Sequence, residues 1–196
     1  MKKNVKTILK TILLIVIAII VIFLGIKAYY MYFNSDNNEL TTEDTDILLL
    51  TKTYPTTFYF IGNAVSLDQS IATENITIDE VSNIKTSKKQ WAMIVINDLE
   101  DNTPINEEQW KSVVDTVKNN NHINCMYLGN SDLDIMEQQG YFSGKDGLDD
   151  TDLSMGLIHH KTSVINTLGM LNKGDDIDNL PTLLIHEQAY DLQTSK

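Results

Sequence analysis

The chain has no arginine, a single cysteine and three prolines in 196 residues, and each shortage excludes something. A lone thiol, Cys125, rules out an intramolecular disulfide and a thiolate metal cluster. Its place in the apolar run 123–128 predicts a buried, inert side chain, because a reactive thiol needs basic neighbours and none is adjacent in sequence. All formal positive charge is therefore lysine, 15 residues against 27 acids, for a net charge of −12. No acid precedes residue 35, while five lysines fall at or before Lys27, so the remainder holds ten lysines against 27 acids, or −17. A surface of that sign argues against nucleic acid and anionic lipid as partners, since phosphate binding needs clustered positive charge. Its first reading is solvation and self-repulsion.

The common catalytic and nucleotide signatures are also missing. There is no GxGxxG, no GxxxxGK[ST], no HExxH and no His-x-His pair. Gly129-Asn130-Ser131-Asp132-Leu133 lacks the second glycine of a nucleophile elbow. The acidic stretch 146–152 fails as a calcium loop: counting from Asp150, Met155 and Lys161 occupy the sixth and twelfth positions, where glycine and glutamate belong. Asp175, Asp176 and Asp178 form a similar cluster, and solvation accounts for both.

What the sequence does contain is a long apolar run. Residues 11–26 carry no charge, and with their flanks to residue 33 they exceed the roughly 20 residues needed to cross a hydrocarbon layer. Lys10 and Lys27 sit where they can snorkel to the two interfaces, and Tyr29, Tyr30 and Tyr32 supply aromatic anchors on the exit side. The run is longer than the core of a cleaved signal, and Lys27-Ala28 makes a poor cleavage site. Four lysines precede it, so residues 1–10 are expected in the cytoplasm, 11–33 as a transmembrane anchor, 34–46 as an acidic tether, and 47–196 as one extracytoplasmic domain. The expected localisation is a cell membrane, and the lysine-rich, arginine-free composition is that of AT-rich bacterial coding.

Within the domain, Thr57 to Ile61 reads as a strand, and a short helix before it, around 47–50, takes its cap from Thr41 or Thr42. Residues 75–84 fit either state, since Thr77 and Glu80 form a capping box while Ile76 and Ile78 alternate. Trp91 to Ile96 is a continuous apolar run, the pattern of a strand covered on both faces, and Ile123 to Leu128 reads as a second buried strand. Between them Trp110, Val113, Val114 and Val117 mark one helical face behind an Asn106 cap. Ser131 caps a further helix to Gln139, residues 162–171 read as a helix, and 157–159 and 182–185 as strands. This alternation predicts an α/β domain with a mostly parallel sheet and helices on both faces; the alternative is an α+β domain whose first third pairs antiparallel.

Open parallel sheets bind ligands at the carboxyl ends of their strands. Reading each strand to its end places Asp98, Ser131, His159 or His160, and His186 or Glu187 at that edge. Asp98 and Ser131 are the candidate ligand contacts. Asp98, His160 and His186 have the residue types for a divalent cation with open positions for water, the only cofactor in prospect. The leading expectation is a non-catalytic, membrane-anchored domain that binds an envelope protein partner near the membrane. The alternatives are a metal-dependent hydrolase using those three side chains, or a small-ligand site at the same edge.

Overall fold

The two apolar runs that bracket Trp110 form adjacent interior strands of a six-stranded sheet. A computed structural model describes residues 40–129, 133–140, 154–158, 165–171 and 175–194. The anchor segment 11–33, residues 34–39 of the tether, Ser131, His159 and His160 lie outside the described residues. Among the described residues no helix is long and apolar enough to cross a membrane.

The folded unit opens at Thr41. Its hydroxyl accepts the Asp44 N–H at 3.1 Å, and the Asp44 carboxylate accepts the Thr41 N–H, a reciprocal cap that starts helix α1, Thr42–Leu48. The helix thus begins inside the acidic stretch 34–46. It passes into a π turn, Leu49–Thr53, and ends before Pro55, which disfavours helix at the residue preceding it. Strand β1 is Thr56–Gly62 and β2 is Ala72–Asn75. The ambiguous stretch after β2 resolves into a 3-10 helix, Ile78–Asn83, with the Thr77 and Glu80 capping box in place. Hydrogen bonds from the Thr77 backbone and hydroxyl hold the Glu80 carboxyl below the usual range.

Strand β3, Trp91–Asn97, leads through helix α2, Glu107–Lys118, to β4, Ile123–Gly129. Asn106 caps α2 by accepting the Gln109 N–H at 2.9 Å. Helix α3, Leu133–Gln138, ends at Gly140, whose φ of 75° is the left-handed stop that glycine accepts. Strands β5, Ser154–Ile158, and β6, Ile165–Met170, precede helices α4, Asp175–Asp178, and α5, Leu180–Thr194.

The sheet order is β2-β1-β3-β4-β5-β6. Strands β2, β1, β3 and β4 are mutually parallel, which makes this an α/β domain, whereas β5 and β6 pair antiparallel. Two assignments therefore change. Residues 162–171 contain strand β6 and not a helix, because β-branched Ile165 and Thr167 favour extended backbone and ten residues are too few to fix a period. Residues 182–185 belong to α5 and not to a strand: Leu184, Ile185, Ala189 and Leu192 repeat at helical spacing, with Pro181 in the first turn, where its missing N–H costs nothing. The antiparallel alternative for the first third is also overturned, since that third is the parallel part.

Alternate residues of each interior strand face two separate cores. On one side Ile94, Ile96, Ile123, Cys125 and Tyr127 pack with Trp110, Val113 and Val117 of α2, Val81 and Met136. On the other, Phe58, Phe60, Met93, Val95, Met126 and Leu128 pack with Leu50 and with Leu184, Ile185 and Leu192 of α5. Burial on both faces is why β3 reads as an unbroken apolar run and β4 as one interrupted only by Asn124. Cys125 is fully buried, and burial pushes its thiol well above the usual range, in keeping with an inert side chain.

Candidate functional site

The register aligns Gly62 of β1 with Asn97 of β3, and Asn97 with Leu128 of β4, so three parallel strands end side by side. From β1 the chain moves outward to β2, then crosses back to β3 on the other side. The carboxyl ends of β1 and β3 are thus the point where connections diverge, the place where open sheets leave a crevice.

Close backbone approach shapes that edge. Gly62 has φ of 84°, and a methyl group on it would lie 2.3 Å from the Asn97 carbonyl oxygen. Gly62→Ala is therefore expected to destabilise the domain by about 2–4 kcal/mol, from left-handed strain plus a contact with backbone that cannot swing away. Chemical denaturation would measure it, and an unchanged midpoint would show that the β1 end relaxes freely.

Polar side chains then tie the loop after β3 back onto the strand ends. Asn97 donates through Nδ2 to the Asn63 carbonyl at 2.8 Å. Asp98 is 1% exposed; its Oδ1 accepts the Thr103 N–H at 2.8 Å, and Tyr127 directs its hydroxyl at Oδ2 from 3.4 Å. The Asp98 carbonyl accepts the Asp101 N–H at 3.1 Å, and Asp101 adopts φ of 51°. Thr103 Oγ1 donates to the Asn97 carbonyl at 3.1 Å. The Asp98 carboxylate thus closes a turn. What faces solvent is Glu100, whose Oε2 accepts from Asn63 at 3.0 Å and from Asn102 at 3.1 Å.

Asp98 sits at a strand end as expected, but His186 does not. It projects from α5, with Nδ1 2.7 Å from Asp46 Oδ2 of α1 and its ring near Tyr190. Asp98 meets Tyr127, which belongs to the α2 face, whereas α5 covers the other face. The sheet therefore separates Asp98 from His186, and Glu187 follows His186 onto the helix. The cause is the helical winding of 180–194, which leaves no strand end at His186. Among the described residues no three His, Cys, Asp or Glu side chains are grouped to hold a metal ion. Ser131 and His160 lie outside the described residues.

A groove of about 490 Å³ runs between α2 and the 3-10 helix, lined by Ser82, Glu108, Lys111, Ser112, Asp115 and Asn119. These six are exposed, the remaining lining residues Thr116 and Asn120 are half-buried, and all are polar, so the groove lacks the apolar lining of a typical small-molecule site.

Sequence reasoning missed a buried polar cluster beneath α5. Asn124 of β4 donates through Nδ2 to Gln188 Oε1 at 2.9 Å and to Asp191 Oδ2 at 2.8 Å, with all three side chains buried. Among the described residues Gln188 Nε2 has no hydrogen-bond partner. The visible signal was an amide inside an apolar run, Ile-Asn-Cys-Met-Tyr-Leu. No family model, curated protein or solved structure matches this chain.

Proposed function

We propose that this protein is a single-pass membrane-anchored protein whose acidic domain lies outside the cytoplasm and binds a protein partner near the membrane without catalysing a reaction. The observation that carries the reading is the uncharged run 11–26 with four lysines before it and one after, followed closely by a helix cap at Thr41. Support also comes from the edge of the sheet, where the acid best placed for chemistry, Asp98, is buried and engaged in closing its own loop. A metal-dependent hydrolase built on Asp98, His160 and His186 loses support because the first and last of these stand on opposite faces of the sheet. A small-ligand site keeps one favourable observation, the divergence of connections between β1 and β3, with Asn63, Glu100 and Asn102 exposed beside it.

Protease added to right-side-out membrane vesicles or protoplasts is expected to digest the domain while leaving a membrane-embedded fragment. Protection of the domain would reverse the orientation. Recovery of the domain in the soluble fraction without protease would show that the apolar segment does not retain it.

A further inference from the structure

At the end of the sheet opposite Asp98, the parallel strands begin among aromatic rings. Tyr54 lies just before β1, Trp91 opens β3, and His122 immediately precedes β4. The Trp91 N–H donates to the Pro55 carbonyl at 2.8 Å, which fixes the start of β3 against the start of β1. The Trp91 and His122 rings lie 4.6 Å apart, and Tyr54 meets Trp91 edge-on at 6.0 Å. All three side chains are half-buried, whereas the other tryptophan, Trp110, is fully buried.

The segment leading into Trp91 is Lys85-Thr86-Ser87-Lys88-Lys89-Gln90, folded into a tight turn in which the Gln90 N–H donates to the Ser87 carbonyl at 3.1 Å. One amide ties this turn to the backbone that enters β4. Asn120 Oδ1 accepts from Thr86 Oγ1 at 2.9 Å and from the His122 N–H at 3.1 Å. The lysine turn, the last turn of α2 with Lys118, and His122 therefore share one ledge. Lys85, Lys88, Lys89 and Lys118 are exposed, and among the described residues none of them has a carboxylate within ion-pair distance. Four of the ten lysines that follow residue 35 thus gather at one end of a region whose net charge is −17.

We propose that this ledge is the surface on which the domain docks an acidic segment of a protein partner. The inference deepens the partner-binding reading and rests on it. A half-buried tryptophan directly following a lysine-bearing turn, with a half-buried tyrosine against it, is the make-up of an interface centre, where aromatic anchors carry most of the affinity. The sign of the charge sets orientation: an acidic partner is repelled by most of the domain and attracted here. A screening length of about 8–10 Å limits the reach of acids elsewhere on the domain. The averaged charge that argued against anionic partners concealed this cluster. One feature favours a protein segment over a phosphate polymer: lysine lacks the arginine fork that grips phosphate.

The test uses the full-length protein in zwitterionic nanodiscs, with Trp91 emission as reporter, since Trp110 is shielded in the core. The probe is a synthetic glutamate-rich peptide with interspersed leucines. Saturable binding is expected, weakened by about tenfold or more in the Lys88→Glu, Lys89→Glu double variant and reduced as salt rises. Both positions are exposed turn residues, so the variant should retain its wild-type circular dichroism. Absence of saturable binding, or equal binding by the double variant, would overturn the proposal. Inorganic polyphosphate binding as tightly as the peptide would also overturn it, in favour of a general polyanion surface. Digestion of vesicles reports on topology separately, so a failed peptide titration with a digestible domain removes the ledge and leaves the anchored reading intact.

Discussion

Trp110→Ala lowers the stability of the domain by about 3–5 kcal/mol, the range for deleting a buried aromatic side chain. The indole is fully buried and meets the Tyr127 ring edge-on at 5.5 Å, in the layer that also holds Val113, Val117 and Ile94. Its removal leaves a void that α2 fills only by shifting along strands β3 and β4, and that shift strains the Asn106 cap. Tyr127 also directs its hydroxyl at Asp98, so loosening the ring carries the effect to the loop at the sheet edge. Urea titration of wild type and variant measures the loss. A change below about 1 kcal/mol would mean that the α2 layer refills the void or is not packed as described.

The second large effect separates two neighbours in the buried polar cluster. Asn124→Leu keeps the side-chain volume nearly constant but removes the Nδ2 donor shared by Gln188 and Asp191. It leaves a buried amide oxygen without that donor and a buried carboxylate with one fewer, a loss of about 3–5 kcal/mol. Gln188→Leu is expected to be markedly milder, because it removes a group whose own Nε2 has no partner among the described residues. The ranking is the informative result. Equal losses, or a larger loss from Gln188→Leu, would mean that α5 is held by apolar contact alone and that the cluster contributes no net stability.

How far the sequence carried this description depends on the kind of signal at each position. The β3-α2-β4 unit was legible because a continuous apolar run, a capped 3.6-residue face and a second apolar run leave no competing period. The helix expected at 162–171 and the strand expected at 182–185 failed for a common reason: a window of four to ten residues does not distinguish helix from strand when apolar residues adjoin. The second misreading displaced His186, since a residue at a strand end and one on a helix over the opposite face have different neighbours. Asp98 was placed correctly, but its engagement was not legible, because Thr103 returns to it through the path of the loop and Tyr127 through the register of β4. The lysines at 85, 88 and 89 were in plain view; what the sequence withheld was that the starts of three strands bring Tyr54 and His122 against Trp91, the ring that follows that turn.

Helix α5 closes the second core, yet it is the last element of the described chain, while the strands it covers lie far upstream. A ribosome adds residues at about 5–20 per second, from the N-terminus onward. For the whole interval between the emergence of β3 and that of α5, Phe58, Phe60, Met93 and Val95 have no α5 to shield them. Half of the sheet is therefore a sticky surface during biogenesis. The nascent chain is then most exposed to aggregation late in its synthesis, and a stop codon a few residues upstream of Leu184 would leave it in that condition permanently.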